Sequence, residues 1–368
     1  MHHDSHSNLL MAFVPNQANY KVWVFAPYLE TDDAILKTYY DYTQSIEEFT
    51  KVFTDLNCEW EWVNITLQNL HKEIERVKAF TSKQNIVFNL CDGDEINETP
   101  GISVIEALKS SDITFTGSDT YFYKITTSKI PMKEAFEKHG VSTPKWKKLN
   151  GVNKGVMEKV GVPVIVKPAV SAGSMGISID NVVNDYDSLK NVLARIKKGY
   201  HGWNLYDSGL FAEQFIAGRE FTVMLVGSYN RLELIQFYKP AERVFHKSLP
   251  ETQKFLSFDR LWANYNEEAR MPNDEDLYDY SPITDVDLFE RIKKLSIDAY
   301  VSVQGTGYTR IDIRMNTENG ELYVLEVNAQ CGLSGDENST SIGAILKFSN
   351  KSFTNLAVEI LDDALLRA

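Results

Sequence analysis

Asp312 and Glu326 are two carboxylates in places where a fold gains little from either. Arg310, Asp312 and Arg314 alternate with Ile311, Ile313 and Met315, and Tyr323, Leu325 and Val327 alternate with Val324, Glu326 and Asn328. Period-two alternation on both sides of Glu318-Asn319-Gly320 predicts a β-hairpin. If Thr317 pairs with Glu321, Asp312 falls opposite Glu326 and Arg310 opposite Asn328, all on one face. Like charges directly opposite each other destabilise a strand pair. A hard divalent cation between them would remove that cost, and Asp, Glu and Asn oxygens suit one. A solvated strand face whose arginines neutralise the acids accounts for the same pattern.

Upstream, Val164-Ile165-Val166-Lys167-Pro168 ends an apolar strand on a lysine. A buried, unpaired ammonium is costly, so Lys167 either snorkels to solvent or is aimed at an anion. The small, Gly-rich run Ser171-Ala172-Gly173-Ser174-Met175-Gly176 follows, and its backbone N–H groups could approach a phosphate closely. It is not a Walker loop, because GxxxxGK[ST] is absent. Glu213 and Glu220 flank the turn Gln214-Phe215-Ile216-Ala217-Gly218-Arg219. Such acids could accept from an adenine amino group and from ribose hydroxyls while Phe215 and Ile216 cover the base. A solvated hairpin would also produce that pattern.

These residues need elements to position them. A chain of 368 residues is too long for one ordinary core, so two or three domains are expected. The first third alternates strand and helix: strands at 21–26, 61–65, 85–90 and 112–116, helical periodicity over 32–56, 67–81 and 101–110. That order predicts a parallel sheet with helices on its faces, and its ligands bind at the carboxyl ends of the strands, where Cys91-Asp92-Gly93-Asp94-Glu95 lies. A helix over 119–139 ends at Gly140, and strands follow at 162–167, 177–179, 210–215, 220–226 and 232–237. Residues 239–285 have no clear period and read as a lid or insertion. The segment 353–366 reads as a closing helix.

A net charge of −13 argues against a nucleic-acid partner, which needs a basic footprint, but leaves room for a local cationic pocket. The apolar runs are strand-sized, so no membrane span is expected. Three widely spaced cysteines fit a reducing cytoplasm, and the first residues, with His2, His3 and His6, read as a disordered leader and not a signal peptide. Cys331 reads as an ordinary loop thiol.

The cationic strand end, Gly-rich loop, acid pair and metal hairpin stand here in one order. With Val162-Pro163-Val164-Ile165-Val166-Lys167-Pro168, Glu213 to Thr222, and Arg310 to Asn328, that order resembles the ATP-grasp superfamily, most closely the D-alanine–D-alanine ligase branch. The resemblance runs from about Phe88 to the C-terminus. It implies an α/β (α+β) fold: an N-terminal parallel-sheet domain (15–118), then a central (119–206) and a C-terminal ATP-grasp subdomain (207–368) holding ATP between them. By this resemblance Lys129, Lys167 and Ser174 would bind phosphates, and Glu213 the adenine amino group. Gln214, Phe215, Ile216 and Leu325 would line the base, and Glu220 would bind ribose. Asp312, Glu326 and Asn328 would hold two Mg²⁺ ions, with Mn²⁺ of the same ligand chemistry. Arg310, the Gly332 backbone and Lys167 would stabilise charge in the reaction. The activity implied is an ATP-dependent carboxylate–amine ligase working through an acyl phosphate on small-molecule substrates. Dimers are common in the branch, which leaves a homodimer open.

The substrate loops depart from that branch. Asn89 to Glu95 lacks the branch's histidine, Cys331 stands for a proline, and Glu337 falls at the second-substrate serine unless an insertion brings in Ser339 or Ser341. The lysine of the branch's lid loop has no clean match: Arg260 is the first substitute, with Lys239, Lys247 and Lys254 behind it. From these departures the expectation is a ligase of amino acids or dipeptides other than D-alanine–D-alanine. Asp92, Asp94, Asp336 and Glu337 point to a substrate with an added positive charge. Ligation of an amino acid to a non-peptide acid, and a silent ATP-binding scaffold, are the alternatives.

Overall fold

The computed structural model describes residues 12–150, 155–263, 265 and 268–368. The histidine-bearing leader lies outside the described residues. Three sheets organise the chain. The first is parallel, with order β2-β1-β3-β4, from β1 (Tyr20–Pro27), β2 (Glu59–Ile65), β3 (Gln84–Asn89) and β4 (Thr114–Phe115). Both of its faces are covered, as parallel sheets require. Trp23, Phe25 and Val87 pack towards the helices Leu70–Ala79 and Ile102–Ser110, while Val22, Val24, Ile86 and Phe88 share a core with Ile345, Leu356 and Leu361 of the last two helices. The C-terminal helix, Phe353–Arg367, therefore closes the chain against its first sheet.

The second sheet has order β5-β8-β6-β7, built from β5 (Trp146–Leu149), β6 (Val164–Pro168), β7 (Val182–Val183) and β8 (Leu210–Gln214). Because β8 lies between β5 and β6, the expected division at 206/207 falls ahead of one of this sheet's inner strands. The predicted strand at 177–179 is absent; Ile179–Asn181 is a single 3-10 turn, and the paired residues are Val182 and Val183.

The third sheet runs β12-β11-β9-β13-β14, with β10 also on β9. Its members are β9 (Gly218–Ser228), β10 (Gln236–Phe237), β11 (Ala241–Phe245), β12 (Tyr278–Pro282), β13 (Thr306–Asn316) and β14 (Leu322–Ala329). Segment 239–285 thus contributes two strands and a short helix, Phe258–Leu261, over the cleft. Helices Lys129–His139 and Val286–Ser302 cover the other face through Met132, Phe136, Leu288 and Ile292.

Two details set up the site. The predicted helix over 119–139 is broken at Ser128, whose backbone is extended. Pro131 has no N–H to give Thr127 and its ring would clash with that carbonyl, so a continuous helix is not available there. The break puts Lys129 at a helix start, with its N–H on Ala169 O at 2.8 Å. Gly307, at the head of β13, has φ +84°, and a Cβ there would lie 2.2 Å from the Gly117 carbonyl oxygen. Backbone cannot yield as a side-chain tip does. Gly307→Ala is expected to cost about 3 kcal/mol in chemical denaturation, at the upper end for overpacking because the backbone is left-handed as well. A loss below about 0.5 kcal/mol would contradict that close approach.

No described helix is long and apolar enough to cross a membrane.

Candidate active site

Asp312 does lie opposite Glu326, and Arg310 opposite Asn328. The route to that register is not the expected one. At the turn, Asn316 N–H donates to Glu321 O at 2.9 Å, Met315 lies opposite Leu322, and Ile313 opposite Val324. This pairing is one residue out of step with a Thr317–Glu321 pair. A β-bulge beyond Asp312, with Leu325 as the extra residue, restores the step. The two slips cancel. The bulge also breaks the simple alternation: Leu322, Val324 and Val327 are buried, and the neighbours Leu325 and Glu326 both line the cleft. Bulges re-aim side chains in this way.

The carboxylates differ in their partners. Asp312 accepts from Arg310 Nε at 3.2 Å and Nη2 at 3.0 Å, from Thr222 Oγ1 at 3.2 Å, and from Asn328 Nδ2 at 3.2 Å. Glu326 lies 3.3 Å from Lys129 Nζ. Burial raises the Asp312 carboxyl, Arg310 pulls it back, and Glu326 adds to the rise; the net direction is up. For Glu326 burial also works upward, but Lys129, Lys167 and Arg310 outweigh it and hold the group low. One member of the pair is thus kept anionic by a cationic wall.

The hairpin faces an open cleft of about 640 Å³ between the second and third sheets, reaching the first-sheet loops. That volume is ordinary for a small-molecule site. Lys129, Lys167, Ser174, Glu213, Gln214, Phe215, Ile216 and Glu220 line it, with Leu325, Arg310, Gly332, Asp92 and Ser339. A Cβ at Gly332 would meet nothing within 4 Å, so its backbone opens on free space. Ser174 donates to Leu256 O at 3.0 Å and Gly173 O accepts from Trp262 Nε1 at 2.9 Å, which ties the Gly-rich loop to the cleft roof.

Two expected residues are elsewhere. Arg260 does not line the cleft; it is buried against Glu268 at 2.9 Å and bonds the Gln253 carbonyl. Lys239, Lys247 and Lys254 do not line it either, and Lys254 pairs with Glu251. The described roof cation that does is Arg243, on β11, between the Tyr278 and Tyr280 rings. Its Nε is buried with no hydrogen-bond partner among the described residues. Glu337 is also outside the cleft, paired with Lys347 at 3.1 Å, and Asp336 accepts from the N–H groups of Asn338 and Ser339 in a turn. That turn delivers Ser339, Thr340, Ser341 and Ile342 to the cleft at the start of helix Ser341–Ser349. The added positive charge inferred from Asp336 and Glu337 therefore loses half its basis.

Some acids already have partners. Glu220 carries Arg314 on one oxygen, at 2.8 and 3.1 Å, and Arg243 on the other. Arg314 also holds the Ile216 carbonyl at 2.8 Å and the Lys254 carbonyl. Glu213 has Lys167 on one oxygen and Lys133 on the other, at 2.7 Å from the latter. Lys133, Arg243, Tyr39 and Trp262 were not singled out from sequence. The readable signal for Lys133 is its place between Ile130 and Phe136 on the apolar side of its helix.

The hairpin donors fit a divalent cation. Among the described residues no group of three or more His, Cys, Asp or Glu is placed to hold a metal. Two carboxylates and an amide are a partial oxygen set, of the kind Mg²⁺ completes with substrate phosphates and water.

A family model described as "D-ala D-ala ligase C-terminus" matches residues 134–341, more than half of the chain. The chain belongs to this family. Within the D-ala D-ala ligase family, D-alanine–D-alanine ligase B of Xanthomonas campestris is 28% identical over 253 residues, 67% of this chain and 69% of that protein. D-alanine–D-alanine ligase of Xanthomonas axonopodis is 27% identical over 263 residues, 70% of this chain and 72% of its own. The D-alanine–D-alanine ligase of Bacillus anthracis complexed with ATP superposes with a TM-score of 0.64 at 19% identity, over 94% of this chain and 98% of that one. That likeness establishes the ATP-grasp fold. The relatives' names overturn the expectation that the divergent loops exclude D-alanine–D-alanine joining. The physical reason is visible at 336–341: the turn that carries Glu337 outward to Lys347 brings Ser339 and Ser341 to the cleft, so serine hydroxyls line it.

Proposed function

We propose that the protein is an ATP-dependent ligase joining two molecules of D-alanine. The observation that carries this reading is the single cleft onto which Lys129, Lys167, Asp312, Glu326, Arg310 and Gly332 all open, in a chain of the D-ala D-ala ligase family. We divide the chain into the first-sheet domain, a central unit ending just after β8, and a C-terminal unit from β9 onward.

The first carboxylate is a poor electrophile because its oxygens leave badly. Transfer of the terminal phosphoryl group of ATP gives an acyl phosphate and ADP. The second amine then attacks the acyl carbon, phosphate leaves, and the amine's proton passes to solvent. Each step gathers negative charge, so positioning and electrostatics carry the catalysis. Lys129 and Lys167 bind phosphate oxygens, and Arg310 with the Gly332 N–H meets the oxyanion at the acyl carbon. Asp312, Glu326 and Asn328 would hold Mg²⁺, two ions in our reading, which supply charge neutralisation between phosphates and hairpin. Phe215, Ile216 and Leu325 form the base pocket, and Arg243 serves as the roof cation in place of Arg260. The N-terminus of helix Ser341–Ser349 faces the second carboxylate. The assay is ADP release with ATP, Mg²⁺ and D-alanine, with mass detection of the dipeptide and L-alanine as control. ADP release no higher with D-alanine than without it would sink the proposal.

Asp92 is placed to receive the first ammonium. Burial and then Asp94 push its carboxyl up to about 7. Below that value it is neutral and attracts an ammonium weakly; above it the carboxylate is charged. The D-alanine KM is therefore expected to fall about fivefold as pH rises from about 6 to 7, about twofold more to about pH 8, and then to level off. Asp92→Asn should flatten the profile; an unchanged profile in that variant would remove Asp92 from the subsite.

A further inference from the structure

Lys133 is fully buried, one helical turn beyond Lys129, and does not line the cleft. A chain hides an ammonium only against a compensating charge. Its Nζ lies 2.7 Å from Glu213 and donates to Thr143 Oγ1 at 2.9 Å. The other Glu213 oxygen takes Lys167, whose side chain is 17% exposed against 1% for Lys133 and Glu213. Two lysines thus share one buried acid, and only the outer one reaches the cleft. Thr143 Oγ1 in turn donates to Val324 O at 2.8 Å, immediately before the bulge residue Leu325.

We infer that Lys133 is a positioning residue for the nucleotide phosphates, acting through Glu213 on Lys167. With Lys167 as its sole partner, Glu213 would neutralise it, and reaching a phosphate would mean breaking a buried ion pair. Lys133 satisfies the acid from behind, so Glu213 orients Lys167 while the outer ammonium keeps its charge for the anion. Glu213 is then a holder of lysines and not a reader of the adenine amino group. Through Thr143 the same lysine braces the strand from which Glu326 projects. This inference rests on the nucleotide reading above.

The test compares ADP and adenosine binding by isothermal titration in wild type, Lys133→Met, Lys133→Arg and Lys133→Met/Glu213→Gln. In Lys133→Met, ADP affinity is expected to fall about tenfold or more, the scale of a charge-assisted contact, with adenosine affinity unchanged. Lys133→Arg should recover most of the loss, and the double variant should return ADP affinity to within about threefold of wild type, because Lys167 is released. Equal losses for ADP and adenosine would make Lys133 merely structural and overturn the inference. So would a double variant as weak as the single one. If Lys133→Met does not fold, the double variant against wild type decides: a tenfold or larger ADP loss overturns it. Wild-type protein that binds neither ligand would instead overturn the nucleotide reading, and this inference with it.

Discussion

Glu326→Gln is expected to lower ADP release about 10³-fold while leaving the fold intact. The substitution keeps the side chain's volume and one oxygen but removes the charge that faces Lys129. Both steps of the proposed reaction gather anionic charge beside the hairpin. A lost ligand there forfeits on the order of 4 kcal/mol of barrier lowering, as for one preorganised electrostatic contact. Asp312→Asn should match or exceed this, because it also strands Arg310, whose guanidinium bonds that carboxylate at 3.0 and 3.2 Å. Melting curves separate the two effects. Glu326→Gln should melt near wild type, since Lys129 keeps its bond to the Ser171 carbonyl at 2.9 Å. Retention of more than about a tenth of the wild-type turnover would show that Glu326 is not a metal ligand in the reaction.

Arg314→Ala should have the largest effect on stability, about 3–5 kcal/mol in urea denaturation. Its side chain is 3% exposed and engages Glu220 as well as two carbonyls from separate segments, Ile216 and Lys254. Removing it leaves those carbonyls in a dry site and Glu220 with Arg243 alone. Ile216 lines the pocket and Lys254 immediately precedes the lining residues Phe255 and Leu256, so nucleotide affinity should fall together with stability. Arg314→Lys should restore little, because one ammonium cannot reproduce the planar fork. Arg314→Ala with wild-type stability would mean that the roof is held by other contacts.

Much of this site was legible in the sequence because strand alternation reports directly on which side chains share a face. Alternation put Asp312 opposite Glu326 and Arg310 opposite Asn328, where they stand although a bulge and a shifted turn produce that register. Lys167 was legible from a strand end, and Glu213 and Glu220 from the turn they flank. What escaped was set by contacts that no period reports. Arg260 and Glu268 meet inside an irregular segment with no period to read, so nothing marked Arg260 as already paired. Counting from Asn328 puts Glu337 at the serine position, but the turn held by Asp336 swings it out onto Lys347 and brings Ser339 to the cleft. Lys133 stands beside Glu134 in a helix that also carries Glu137 and Lys138, which reads as a solvated face. Those charges mask its alignment with Ile130 and Phe136, and the packing of that helix onto the second and third sheets turns the apolar side inward. The break at Ser128 was readable from Pro131, whose cost inside a helix is about 3 kcal/mol. There the apolar period on both sides concealed it.

The bulge at Leu325 has a consequence for how this hairpin can change. It lies between the turn and the chemistry, so the outer segment, Ile313 to Val324, keeps its own phase relative to Asp312 and Glu326. A residue gained or lost in the turn alters the β14 pairing outboard of the bulge, where the one side chain that serves the cleft, Arg314, is held from the other side by β9 opposite Glu220. The inner pairs, Arg310 with Asn328 and Asp312 with Glu326, are fixed instead by β9 on their far side, through Met224 and Thr222. Turn length can drift between relatives without rotating a single acid away from the cleft.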